Sequence, residues 1–421
     1  MDVDYDPLAP KSWADPYPLY RVLRDAAPLH RAPASGVYSV SRYDDVLHVL
    51  RHPELFSSRA MFTVLMNGGQ EGFPPLSWNM MRFLVRFPLR TRMNPFSFGK
   101  ARNLISEDPP VHGTLRNVVN RGFTPRRIAA WEPRVRELVA GSMARLRSGE
   151  RFDVIHDLAI PLPVTVIAEM LGIEPERRLD FKRWSDAIID GATGPGRVRP
   201  FAPVFVDAVL ELLGYLRDVM RRRRRAPGDD LISAIVADSP GGTALSDIEA
   251  IMFVQLLLVA GNETTTNLIG NAVLALLDHP DQLERVRREP ALVPSLVEEV
   301  LRYDGPIQTV FRTATREVAL AGGSVPAGAP VAVLIGSANR DERRFAGPDL
   351  FDVGRDSRGH LGFGFGEHFC LGSALARLEA RVALEALVPE LAHHERTGDA
   401  HELVESFLVR GPKRLELRPA A

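Results

Sequence analysis

The chain has 421 residues, 45% hydrophobic and 25% charged, which is ordinary for a globular protein and ample for a large buried core. Its 52 basic and 53 acidic side chains leave a formal net charge of -1, so no overall field favours nucleic acid or an anionic membrane. A lone cysteine cannot form an internal disulfide, and no apolar stretch reaches the roughly 20 residues that span a bilayer.

The first 20 residues are acidic and proline-rich, with no basic segment followed by an apolar run, so no signal peptide or anchor is read and the cytoplasm is the expected location. Helical spacing of apolar residues then dominates, in "DPYPLYRVLRDAA", "DDLISAIVA" and "ARVALEALVPELA". Strand signals are few: "GVYSV" at 36–40 and "VPAGAPVAVLI" at 325–335. Length alone would allow two or three domains. The spread of prolines and glycines, with no repeat or linker, instead predicts one domain over 1–421, mainly α with a small β region. Residues 59–98, rich in Met, Phe, Arg and Pro, read either as buried loop and short helices or as an extended apolar lid over a ligand cavity. The run "RRRRR" at 221–225 reads as a solvated helix end, with cations at the negative pole of the dipole.

Residues 247–280 read as one long helix, about 45 Å at ~1.5 Å per residue. It is apolar nearly all round from Ile251 to Ala260, which predicts a core position. "AGNETTT" follows: Gly261, Glu263 and three threonines in mid-helix. Burying such groups without partners costs several kcal/mol by rough transfer estimates. One account is a polar kink satisfied by neighbouring backbone. The other is a groove opened by Gly261, with an acid and an alcohol placed to relay protons to something bound there.

The only cysteine, Cys370, stands in "HLGFGFGEHFCLG", immediately before the amphipathic run "LGSALARLEARVALEAL". The glycines imply unusual backbone angles or close approach to a flat group. A thiol at a helix N-terminus has its pKa lowered, and the thiolate is a soft metal ligand. Zinc fits poorly, since His368 and Cys370 supply only two ligands and no CxxC is present. No protease-like constellation accompanies the thiol.

This loop resembles the haem-binding signature of the cytochrome P450 monooxygenases. All fixed positions are present: Phe363, Gly364, Gly366, His368, Cys370 and Gly372. "AGNETT" is similar to the family's oxygen-activation motif, with Glu263 where many members carry Asp. "EEVLRY" carries the family's Glu-x-x-Arg pair, Glu299 and Arg302, selected over the same spacing at Glu174/Arg177 and Glu284/Arg287 by its place before "DGPIQTVFRTATREV". The likeness runs from about residue 15 to about residue 417; the 59–98 segment departs from it by its length.

The resemblance implies a haem b cofactor held by the Cys370 thiolate, which favours O–O cleavage. It implies that Phe363, Gly364 and Gly372 shape the haem loop, that Ala260 and Gly261 line its other face, and that Glu263 and Thr264 deliver protons. His112, Arg116, Arg312 and His360 are implied as partners of the haem propionates, and Glu299, Arg302 and Arg355 as a structural network. Helical spacing places Phe253, Leu257 and Ala260 one to three turns before Thr264, toward a substrate; Thr309, Val310, Phe407 and Leu408 are the other candidate contacts. These are mostly apolar, so an apolar small molecule is expected alongside O2: a terpenoid, steroid, fatty acid or polyketide-like compound. The expected electron donors are a separate ferredoxin and its reductase, docking on the cysteine side near residues such as Arg121 or Arg377. A monomer is expected. The alternatives are a haem-thiolate sensor without oxygenase activity and a peroxide-driven peroxygenase, which often replaces the acid–alcohol pair present here.

Overall fold

The computed structural model describes residues 3–59, 78–92, 94, 101–120, 122–193, 203–237, 245–397 and 402–420. Most of the 59–98 segment, and Arg121, lie outside the described residues. Within that segment one helix, Trp78–Thr91, is described.

The chain gathers into two compact units, each built from non-consecutive segments. The first comprises Met1–Ser58, Pro125–Pro163 and Glu263–Ala421. The second comprises Arg59–Thr124 and Val164–Asn262. Sequence composition, lacking any linker, could not reveal this division, because the second unit is an insertion in two pieces.

The first unit holds all the described sheets. Five short strands lie in the order Leu29–Arg31, Tyr38–Val40, Pro330–Leu334, Thr309–Ala314 and Phe56–Ser57. Tyr38–Val40 runs parallel to Pro330–Leu334, and the other neighbours are antiparallel. Val40, Val46, Phe56, Val333 and Ile335 form the apolar core on this sheet. The apolar run at 325–335 is not one strand. Gly323–Val325 and Pro330–Leu334 are separated by a turn at Gly328, whose φ of +78° suits glycine, and Ile335 begins a new helical turn. Against the sheet unit packs the helical remainder, where Ser373–Leu391 lies on Glu132–Arg147 and on Val293–Tyr303.

The second unit is helical. Pro203–Arg225 packs on Arg178–Thr193, Trp78–Thr91 and Leu231–Val236. Asp230 caps the last of these, accepting the Ser233 amide at 2.7 Å. The arginine run ends Pro203–Arg225 as expected, and Arg222, Arg223 and Arg224 pair with Glu174, Asp230 and Asp247. The long helix spans Asp247–Asp278 and remains α-helical through Gly261. Its first half belongs to the second unit and its second half, from Glu263, to the first. Pro280 follows its end, where a proline cannot continue the hydrogen-bond ladder.

Candidate functional site

Cys370 is half-buried, two residues before Gly372, the N-cap of Ser373–Leu391. Its amide donates to the Phe363 carbonyl at 2.9 Å, closing the loop on itself. Gly364 and Gly366 have φ of +70° and +71°, which other residues rarely adopt. A Cβ on Gly366 would stand 2.7 Å from the Leu50 carbonyl oxygen, and one on Gly362 would stand 2.8 Å from the Leu301 carbonyl oxygen. The glycines therefore let the loop lie directly on neighbouring backbone. The Ser373 amide donates back to the Cys370 carbonyl at 3.4 Å, so the sulfur-bearing residue sits against the positive pole of Ser373–Leu391. Ser58 Oγ and His368 Nε2 are 2.9 Å apart and tie the loop to the segment after Tyr43–Arg51.

Beneath the loop, two adjacent carboxylates on Val293–Tyr303 hold two networks. Glu299 accepts Arg302 at 2.7 and 2.8 Å, Arg355 at 3.2 Å, Ser357 Oγ at 2.7 Å and the Asp352 amide at 3.1 Å. Arg302 also donates to the carbonyls of Asn339, Pro348 and Leu350. Both side chains of the Glu299–Arg302 pair are 0% exposed, and a buried pair needs this full set of partners. The Glu284–Arg287 pair, with the same spacing, is 36% and 42% exposed, so burial and not spacing distinguishes them.

Glu298 accepts Arg377 through two hydrogen bonds, 2.6 and 2.9 Å, and His360 Nε2 at 2.9 Å. Burial would raise this carboxyl, but the hydrogen bonds from Arg377 and His360 outweigh it and hold it down to about 2. His360 Nδ1 in turn accepts the Gly362 amide at 3.1 Å. Both ring nitrogens of His360 are thus engaged within the protein. Arg312, on Thr309–Ala314, is buried and donates to its neighbour's carbonyl, Phe311, at 2.8 Å. In the second unit, His112 is buried and Arg116 half-buried, one turn apart on one face of Val111–Asn120.

The long helix changes character where the sequence does. Residues 251–254 are buried, Ala260 and Gly261 are exposed, Glu263 and Thr264 are half-buried, and burial resumes at Thr265. A Cβ on Gly261 would meet nothing within 4 Å, so the helix faces open space here. Thr266 Oγ donates to the Ala159 carbonyl at 2.8 Å, so that hydroxyl serves structure. Leu257 is half-buried. Phe253 is buried, beside Leu115, Val119 and Leu245 in the second unit, near an ion pair of Glu249 with Arg102 at 2.5 Å.

Other expected substrate contacts are placed differently. Neighbouring residues on a strand point to opposite faces, so Thr309 and Val310 cannot both face one ligand. Thr309 is buried near the Tyr20 hydroxyl, and Val310 packs on the sheet core. Phe407 is buried in an aromatic cluster with Trp13 and Phe311, and the Leu408 carbonyl accepts the Gln308 amide at 2.9 Å.

Sequence reasoning missed Glu379. This carboxyl is fully buried on Ser373–Leu391, and burial pushes it up to about 8, with the Thr265 hydroxyl as the neighbour that moderates the rise. Its spacing offered the signal: Leu375, Glu379 and Val382 share one helical face.

These features suit a haem held by a thiolate. The donor is a single sulfur close to a helix N-terminus, and the loop that carries it lies on neighbouring backbone at Gly362 and Gly366. Comparison with known proteins agrees. A family profile described as "Cytochrome P450" matches residues 214–418. The chain is 40% identical to cytochrome P450 107B1 of Saccharopolyspora erythraea over 329 residues, 77% of this chain and 79% of the relative. It is 37% identical to vitamin D(3) 25-hydroxylase of Pseudonocardia autotrophica over 409 residues, 96% and 93% of the two chains. The structure of CYP109E1 from Bacillus megaterium in complex with testosterone superposes with a TM-score of 0.81 at 34% identity, covering 97% of this chain and 100% of that one. The chain belongs to the cytochrome P450 family and is an oxidoreductase of the monooxygenase type.

Proposed function

We propose that the protein inserts one oxygen atom of O2 into a C–H or C=C bond of an apolar small molecule, with haem b as cofactor. The carrying observation is the Cys370 loop: a lone sulfur close to a helix N-terminus, in a loop whose Gly362 and Gly366 leave no room for a side chain. Bound through Cys370, the haem supplies dioxygen activation, with the thiolate pushing electron density toward O–O cleavage.

The protein's own residues have three tasks. Cys370 ligates, and Phe363, Gly364 and Gly372 keep its loop in shape. Glu263 and Thr264 hold and pass protons at the Thr264 hydroxyl, a role that their half-buried place beside exposed Ala260 and Gly261 supports. Arg312, and from the second unit His112 and Arg116, neutralise the propionates. Leu257, Ala260 and Phe253 are the proposed substrate contacts on the long helix.

The substrate is a steroid, terpenoid, fatty acid or polyketide-like compound. The apolar character of the candidate contacts supports this, as do relatives whose names concern vitamin D(3) and testosterone. A ferredoxin and its reductase deliver the electrons to a cytoplasmic monomer. No helix among the described residues is long and apolar enough to cross a membrane.

A spectral-shift screen of hydrophobic compounds, followed by turnover with surrogate ferredoxin and reductase, tests the reading. Hydroxylated product dependent on O2 and on both proteins is expected. Self-sufficient turnover with NADPH alone would overturn the partner assignment. Binding without product would favour a sensor, and turnover only with peroxide would favour a peroxygenase.

A further inference from the structure

Three residues from three distant segments meet beside the Cys370 loop. Arg377 grips Glu298 through two hydrogen bonds, His360 closes on the same carboxylate, and the Gly362 amide donates to the other nitrogen of His360. The Arg377 guanidinium carbon lies 4.5 Å from the centre of the Phe363 ring, and the His360 ring lies 6.2 Å from it. Phe363 is the residue whose carbonyl receives the Cys370 amide. A continuous run of contacts therefore joins one cation to the backbone that holds the sulfur.

An ordinary surface ion pair does not need this construction. Exposed pairs contribute little to stability, and a freely mobile arginine would serve. Here the His360 side chain is only 5% exposed, and its position is set on both nitrogens. Arg377 stands in the helix that begins just after Cys370, and its guanidinium lies over the ring of the residue whose carbonyl holds the Cys370 amide.

We propose that Arg377, oriented by Glu298 and His360, is a positioning residue that sets how strongly Cys370 donates to the haem iron, and through it the haem reduction potential. The proposal rests on the reading of Cys370 as the axial ligand. A fixed positive charge near the thiolate stabilises the added electron of the reduced state, and an anion beside it opposes this. Removing Arg377 and removing the charge of Glu298 must therefore shift the potential in opposite directions. A merely structural role would loosen Phe363 either way and give shifts of one sign.

The experiment is a spectroelectrochemical titration of the isolated haem-loaded protein, with no ferredoxin present, so that docking plays no part. Arg377→Gln is expected to disfavour reduction at least threefold, about 28 mV at 59 mV per decade for one electron. Glu298→Gln is expected to favour reduction by a similar factor. Arg377→Lys, which keeps the charge, is expected to stay closer to the parent protein than Arg377→Gln does. Shifts of the same sign in Arg377→Gln and Glu298→Gln, or no shift in either, overturn the proposal if the reduced CO complex keeps its thiolate band. A parent CO complex without that band would instead overturn Cys370 as the ligand.

Discussion

Around Cys370, charged side chains are pinned from several sides: Glu299 accepts two arginines, a serine and an amide, and Glu298 accepts an arginine and a histidine. At the middle of the long helix, small exposed residues, Ala260 and Gly261, stand beside a half-buried acid and alcohol. The first region spends its polar groups on holding a loop in one geometry. The second keeps small residues exposed on the long helix, which is where the proposed function puts a ligand and moving protons.

The largest expected effect breaks the pinned side at its centre. Cys370→Ser should abolish the long-wavelength Soret band of the reduced CO complex, and an unchanged band would remove the cysteine from the iron. Next, Glu299→Gln leaves Arg302 buried without its counter-charge, and a destabilisation of about 3–5 kcal/mol is expected in denaturant unfolding. Glu284→Gln, the exposed twin, should cost under about 1 kcal/mol; equal losses would show that burial is not the deciding factor.

Glu379 sharpens the comparison, since it is a buried carboxyl with no ion-pair partner among the described residues. Its folded pKa lies above its unfolded value, so the native state holds more protons between about 4.5 and 8. Stability should then fall as pH rises through that window, by at most about 1.4 kcal/mol per pH unit, and level off above it. Glu379→Gln should flatten this slope in unfolding curves taken across that range. An unchanged slope would place its origin elsewhere.

On the open side, Thr264→Ala should lower product formed per electron by roughly tenfold to a hundredfold, toward the low end of what a placed proton donor contributes, with peroxide appearing instead. Unchanged coupling would take Thr264 out of the proton path. For Gly366→Ala about 1–2 kcal/mol of backbone strain is expected, with added crowding against the Leu50 carbonyl. Haem retention and unfolding midpoint together would register it.

The legible parts of the molecule were those encoded within a few turns of chain. Helical spacing and Pro280 marked the long helix to within two residues of its end, and the glycine pattern located the Cys370 loop. The 325–335 run misled because its turn at Gly328 lies within an apolar stretch. Thr309 and Val310 were paired as ligand contacts although a strand sends them to opposite faces. The network at Glu298 was invisible, because its partners lie 62 and 79 residues away.

By itself the sequence located one sulfur at a helix start, one acid and alcohol in mid-helix, and the glycines of the Cys370 loop. These follow from short-range rules of backbone angle and periodicity. Only the tertiary structure decided which charges are buried and with whom. It gave His360 to Glu298, set Arg377 over Phe363, and left Glu379 with no ion pair among the described residues. Such choices depend on desolvation and on contacts between distant segments, which no local spacing records.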